Sequence, residues 1–258
     1  MRDLQNTKRL VIKVGTSTLT YDNGSLNLKR IEELARVIAD INNSGKEVIL
    51  VTSAAISVGT QRLGLLTRPF ELTGKQAMSA VGQCQLMSIY DEFFRRYNQI
   101  IGQILITKDV VEDQQMHKNT TNTFNTLLQY NVIPVVNAND TISTEETTLD
   151  NDNLSAYVAN IVKADLLIIL TDIDGLYDRN PNLAGAKLIS EVKEITETIY
   201  KNAGGAGTNR GTGGMETKLM AAEIAAQSQT KTIIVSGENP SLIYDVLSGK
   251  EIGTYFNL

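Results

Sequence analysis

Short, continuous apolar runs recur along the chain, and longer stretches with a helical repeat lie between them. The runs are "RLVIKV" (Arg9–Val14), "EVILVT" (Glu47–Thr52), "IIGQILIT", "NVIPVVN", "DLLIILT" and "KTIIVSG". They are rich in Ile and Val and too short for buried helices, so each reads as a strand covered on both faces. Between the first two, Leu28, Ile31, Ala35, Ile38 and Ile41 recur at helical spacing, with Asn27 placed to cap that helix and Gly45 to end it. Further helical patterns cover residues 54–64 and 74–97, "NLSAYVANIVKA", "METKLMAAEIAAQS" and "PSLIYDVLSG", and "IGTYF" reads as a last strand. Strands that need cover on both sides and alternate with helices predict an α/β fold, a mainly parallel sheet between helix layers. No linker-like composition break, repeat or low-complexity tract divides the sequence, so residues 1–258 are expected to form one domain.

Composition narrows the chemistry. The single cysteine, Cys84, excludes an internal disulfide and a cysteine-cluster metal site. The single histidine, His117, excludes a His-rich zinc site, and its polar setting "EDQQMHKNTT" reads as surface. A net charge of -5 with no basic run argues against nucleic acid as a partner. The start "MRDLQNTKRLVIKVG" lacks a signal-peptide core, and no apolar run reaches membrane-spanning length, so a cytoplasmic location is expected. Catalysis is left to lysines, carboxylates and backbone amides.

In sheets of this kind ligands bind beyond the carboxyl ends of the strands. The first strand ends in "KVGTST", where Lys13 either faces an anion or points to solvent from an edge strand. Gly15 allows close backbone approach there, and Thr16 and Ser17 add hydroxyl donors. The second ends at Ser53, a helix cap that could leave amides free for an anion. After "NVIPVVN", Asn137, Asn139, Asp140, Asp150, Asn151, Asp152 and Asn153 crowd one loop. Such a set can read an amino acid, hold Mg²⁺ through oxygen ligands, or simply form turns and caps. Asp172, Asp174 and Gly175 follow "DLLIILT" and suit either a strand-end turn or a nucleotide's base or ribose. Finally, "GTNRGTGGMETKL" carries glycines into a helix start with Lys218 in or near its first turn. A cation there opposes the helix dipole, and a bound polyanion would remove the conflict, so the loop reads as a wrap around nucleotide phosphates.

Taken in order, "VIKVGTSTL", "VTSAAISVG", "GQILIT", "NVIPVVNANDTIS", "DNDNLSA", "LTDIDGLYDRNP" and "GTGGMETKLMAAEIA" resemble the amino acid kinase family, and within it the members that act on free glutamate. The resemblance implies a three-layer α/β/α sandwich around a mainly parallel sheet of about eight strands. It implies ATP-dependent phosphorylation of the γ-carboxylate of L-glutamate, the first step toward proline, with Mg²⁺ travelling with the ATP. Lys13 and Lys218 match the two catalytic lysines, and Asp152 matches the aspartate that orients them. Ser53, Asp140 and Asn151 match glutamate-binding positions. Lys13, Gly15, Thr171, Asp172 and the run Thr212, Gly213, Gly214, Met215, Glu216, Thr217 and Lys218 match ATP-binding segments.

The resemblance also implies feedback inhibition by L-proline and a dimer or tetramer, with the helix at 74–97 a candidate interface. Many bacterial members carry a C-terminal PUA domain, which is not expected in a sequence ending at Leu258. Three positions depart from the pattern: Ala54 and Leu149 stand where glycine is usual, and Ala138 where glutamate is common. The competing expectations are another carboxylate or carbamate kinase of the same fold, or a catalytically silent nucleotide or amino-acid sensor.

Overall fold

The computed structural model describes residues 2–143, 149–203 and 214–258. The first half of the chain runs β1 (Arg9–Val14), α1 (Thr16–Leu19), α2 (Leu28–Asn43), β2 (Glu47–Val51), α3 (Ala55–Arg62), α4 (Leu72–Arg96), β3 (Ile100–Ile106), α5 (Asp109–Glu112) and α6 (Gln114–Gln129). The second half runs β4 (Val132–Ala138), α7 (Asn151–Val162), β5 (Leu166–Thr171), β6 (Glu191–Val192), α8 (Glu197–Ala203), α9 (Met215–Ala226), β7 (Lys231–Ser236), α10 (Leu242–Leu247) and β8 (Thr254–Phe256).

The strands form one eight-stranded sheet in the order β3-β4-β2-β1-β5-β7-β8-β6 among the described residues. Every neighbouring pair is parallel except β7 with β8. The first strand is therefore central, hydrogen-bonded to β2 on one side and β5 on the other. The edge-strand alternative for Lys13 falls with that placement.

The two-residue period of a strand decides what each side chain meets. Leu10, Ile12 and Val14 of β1, Val48 and Leu50 of β2, and Ile168 of β5 share one core with Ile31 of α2, Tyr90 of α4 and Ile243 of α10. The intervening Val11, Ile49, Val51 and Ile169 face the other way, onto Phe124 of α6, Leu154 of α7 and Leu219 of α9. That makes the three layers. It also puts Lys13, two residues after Val11, on the α7 and α9 side.

The helix signals in the sequence act as expected at α2. The Asn27 side chain accepts from the Arg30 amide, and Gly45 follows the helix with φ +91. His117 lies exposed in the first turn of α6. Helix α4 packs on α3 backbone to backbone: a Cβ on Gly82 would stand 1.8 Å from the Ala55 carbonyl oxygen, and one on Gly59 1.9 Å from that of Met78. Neither oxygen can move without breaking its helix. Gly82→Ala should therefore cost about 2 kcal/mol or more in denaturant or thermal unfolding; a variant that melts with the parent would contradict this contact.

Candidate active site

Lys13 sits in a central strand, in register with Val51 and Ile169, where a lone ammonium would be costly. Its Nζ lies 2.5 Å from Oδ1 of Asp152, the second residue of α7. The Nζ of Lys218, in the first turn of α9, lies 3.0 Å from Oδ2 of the same carboxylate. The Thr217 hydroxyl donates to that oxygen at 2.8 Å. Asp152 is 0% exposed and each lysine only 6%. Burial pushes the Asp152 carboxyl up, but the Lys13 and Lys218 ammonium groups outweigh it and hold the group well below the usual carboxylate range.

Each lysine ammonium carries three donors. Lys13 gives one to Asp152, and Lys218 gives one to Asp152 and one to the Gly214 carbonyl at 3.3 Å. Donors remain on both for an incoming anion. Asp150 caps α7 by accepting from the Asp152 amide at 2.8 Å. Burial and its neighbour Asp152 push the Asp150 carboxyl up, against the pull of Lys13 and Lys218.

The chain passes closely over this cluster. A Cβ on Gly15 would lie 3.6 Å from the Lys13 ammonium, and one on Gly214 would meet nothing within 4 Å. Gly214 is the N-cap of α9 and offers no side-chain cap, so the first amides of that helix have no side-chain partner from it. Met215 is buried and Glu216 exposed; Thr212 and Gly213 lie outside the described residues. Thr171 is buried at the sheet rim and donates to Oδ1 of the exposed Asp172 at 3.0 Å. Gly175 serves packing, since a Cβ there would stand 2.6 Å from Thr254 Oγ1.

Beside the lysines opens a cleft of ≈ 550 Å³, solvent at its mouth included, lined among others by Thr16, Ala54, Arg68, Asn137, Asp140 and Asn151. Ser53 lies close by, but it does not cap α3. The cap position is Ala54, in the left-handed region at φ 78, with no side-chain cap hydrogen bond. The turn separates the Ser53 hydroxyl from the helix, and it accepts instead from Asn151 Nδ2 at 3.1 Å. The same φ gives a physical reason for the glycine usual at this position in the resemblance. Asn151 Oδ1 is buried with no hydrogen-bond partner among the described residues. Asp140 accepts from Ser79 Oγ at 3.3 Å. Burial pushes its carboxyl up, and Ser79 and Arg68 pull it partly back.

Several of these supports were not read from the sequence. Ser79, Gln83 and Tyr90 recur on one face of α4, which by spacing alone reads as core. Ser79 holds Asp140, Gln83 accepts from Asn137 Nδ2 at 2.9 Å, and Tyr90 shares a 2.8 Å hydrogen bond with Thr52. One helix thus braces the ends of β2 and β4. Arg68 was missed because it stands alone in a loop with no motif around it. Asn139, by contrast, is a turn residue whose side chain accepts from the Thr141 hydroxyl. Ala138 ends β4 in the core, and Leu149 lines the cleft.

A parallel sheet whose carboxyl rim gathers two buried ammonium groups, a helix start and a polar-lined cleft defines an anion-handling α/β enzyme. The model of the amino acid kinase family matches residues 8–236, and the chain belongs to that family. It is 54% identical to "Glutamate 5-kinase" of Clostridium perfringens over 98% of this chain and 96% of that protein. It is 49% identical to "Glutamate 5-kinase" of Enterococcus faecalis, with the same coverage of 98% and 96%. Among solved structures, the carbamate kinase from Giardia lamblia bound to AMP-PNP superposes with a TM-score of 0.69 at 20% identity, covering 98% of this chain and 99% of that one. That last likeness is one of fold.

Two expectations follow from the local geometry. Ala54→Gly should raise stability by about 1 kcal/mol by relieving a left-handed alanine, read as a higher melting temperature. Asp152→Asn should cost about 3–5 kcal/mol, because it leaves two ammonium groups without their shared counter-charge. The folded protein holds Asp152 ionised below the ordinary aspartate pKa of about 4, so its contribution is present above that value and lost as pH falls through the lower folded one. The acid limb of a stability-against-pH curve should accordingly be shallower in the Asn variant.

Proposed function

We propose that the protein transfers the terminal phosphoryl group of ATP to the γ-carboxylate of L-glutamate, giving L-glutamyl 5-phosphate, the first step of proline biosynthesis. The observation that carries this is the pair of lysines on the buried Asp152, next in the chain to Asn151, which lines a cleft that also holds Asp140. In this reading Asp140 takes the substrate ammonium, the unpartnered Asn151 Oδ1 accepts from it, and Ser53 helps fix the amino-acid head. Lys13 and Lys218 stabilise charge on the migrating phosphoryl group, and Asp152 holds them in place. Gly15, Thr171, Asp172 and residues 212–218 would hold ATP. The start of α9 at Gly214, which has no side-chain cap, fits its phosphates.

The γ-carboxylate ionises with a pKa of about 4.3 and is already a nucleophile at neutral pH, so no general base is required. Positioning and charge neutralisation then make up the protein's share of the catalysis. No group of three or more His, Cys, Asp or Glu among the described residues could hold a metal. Mg²⁺ would accordingly be held mainly by nucleotide phosphates and water, where it offsets phosphate charge.

Residues 1–258 act in this reading as one kinase domain in the cytoplasm, and among the described residues no helix is long and apolar enough to cross a membrane. L-proline shares the charged head of an amino acid and would compete with glutamate at the Asp140 end. The outer face of α4 is the candidate surface for a dimer or tetramer.

Lys218→Ala should lower kcat about 10²–10³-fold in an assay of ADP release with L-glutamate, with D-glutamate, aspartate and acetylglutamate as comparison substrates. Near-normal turnover at saturating ATP and glutamate would overturn the assignment. The raised Asp140 carboxyl takes up its proton at a higher pH than an ordinary aspartate. KM for glutamate should therefore climb as pH is lowered, and the rise should begin at a higher pH than an ordinary aspartate would give. Asp140→Asn should show a high KM that varies little over the same range.

A further inference from the structure

The cleft beside the lysines is lined by one cation and one acid among the described residues, Arg68 and Asp140. The two attract each other, yet Arg68 forms no ion pair or hydrogen bond among the described residues. A free α-amino acid presents a cation and an anion on one carbon. A cleft wall that offers the opposite charges in turn is complementary to that head. We infer that Arg68 reads the α-carboxylate of the amino-acid substrate, a specificity contact opposite the ammonium contact of Asp140. The inference rests on the reading of the cleft as an amino-acid site and adds to it the residue that selects for an intact α-carboxylate.

Arg68 belongs to the segment between α3 and α4 and is itself exposed, but its backbone is not free to wander. Pro69 follows it and restricts it to extended conformations. The Pro69 ring lies against Gly74 in the first turn of α4, where a Cβ would stand 2.6 Å from Pro69 Cβ. At the other end of the segment, the Gly64 amide donates to the Gln61 carbonyl and the Leu65 amide to that of Thr60. The same half of α4 holds Asp140, through Ser79, and the turn after it, through Gln76 Nε2 to the Ser143 carbonyl at 3.0 Å. Arg68, through Pro69, and Asp140, through Ser79, are thus both tied to one helix.

Arginine suits the task because its fork can take a carboxylate through two parallel hydrogen bonds and stays charged at any working pH. With the ammonium at Asp140 and Asn151 and the α-carboxylate at Arg68, the side chain of a glutamate is left to extend toward the lysines. An uncharged replacement for the α-carboxylate would leave the guanidinium without its partner.

The test is steady-state kinetics of the full chain with Arg68→Ala and Arg68→Lys, measured on L-glutamate and on its α-amide, isoglutamine, as substrate or competing inhibitor. In Arg68→Ala the KM for L-glutamate should rise about 10- to 100-fold, the loss expected for a hydrogen-bonded charge pair. The KM for ATP and the melting temperature should stay near those of the parent, and Arg68→Lys should recover part of the loss. The preference for L-glutamate over isoglutamine should shrink in the Ala variant. A KM for L-glutamate within threefold of the parent overturns the assignment, as does an undiminished preference. If the parent itself phosphorylates no amino acid, the reading of the cleft fails before Arg68 is tested, and the assignment falls with it.

Discussion

Asp152 has no exposed surface and holds an ammonium group on each of its carboxylate oxygens. Three charges brought out of water together would be destabilising if any one were missing. Their mutual satisfaction lets a lysine occupy a central strand and a second lysine occupy the start of a helix. The cluster carries two positive charges against one negative, and donors remain on both lysines. It is therefore stable when empty of ligand and still attractive to a polyanion. Asp150 sits behind it as a helix cap, tying the backbone of α7 to the same electrostatic centre.

The cluster forms where three parts of the chain meet for reasons of topology. β1 is central and puts Lys13 on the face covered by α7 and α9. Those two helices pack side by side, with Asp152 and Lys218 each in a first turn. A parallel sheet aligns all these strand ends and helix starts at one rim, so helix-start amides and the two ammonium groups need no special loop to bring them together.

The cleft depends on a different support. Helix α4 reaches Asp140, Asn137 and Thr52 through Ser79, Gln83 and Tyr90, while Gly59 and Gly82 let it lie directly on α3. The cleft walls are consequently set by a rigid element, and the residues that contact a ligand can lie on turns. Arg68 and Ala54 both belong to this arrangement, one placed by Pro69 and Gly74, the other by a left-handed turn.

Much of this was legible in the residues themselves. The apolar runs declared the strands because short stretches dominated by Ile, Val and Leu suit an element buried on both sides. Asn27 and Gly45 marked a helix because capping is a local matter of one side chain and one φ angle. Lys13 and Lys218 were identifiable because a cation is anomalous inside a strand or at a helix start, whereas Asp152 was singled out only by the resemblance. The role of Ser53 was not legible, because serine caps helices on local grounds and only the turn at Ala54 diverts it to Asn151. Nor were Gln83 and Tyr90 distinguishable from core, or Arg68 from a solvated surface charge. Their partners lie 38 to 72 positions away in the chain, as the bonds of Tyr90 with Thr52 and Gln83 with Asn137 and the attraction of Arg68 to Asp140 show. Local sequence carries periodicity, caps and anomalous charges. Which distant groups share a cavity is decided only when the sheet and its helices pack.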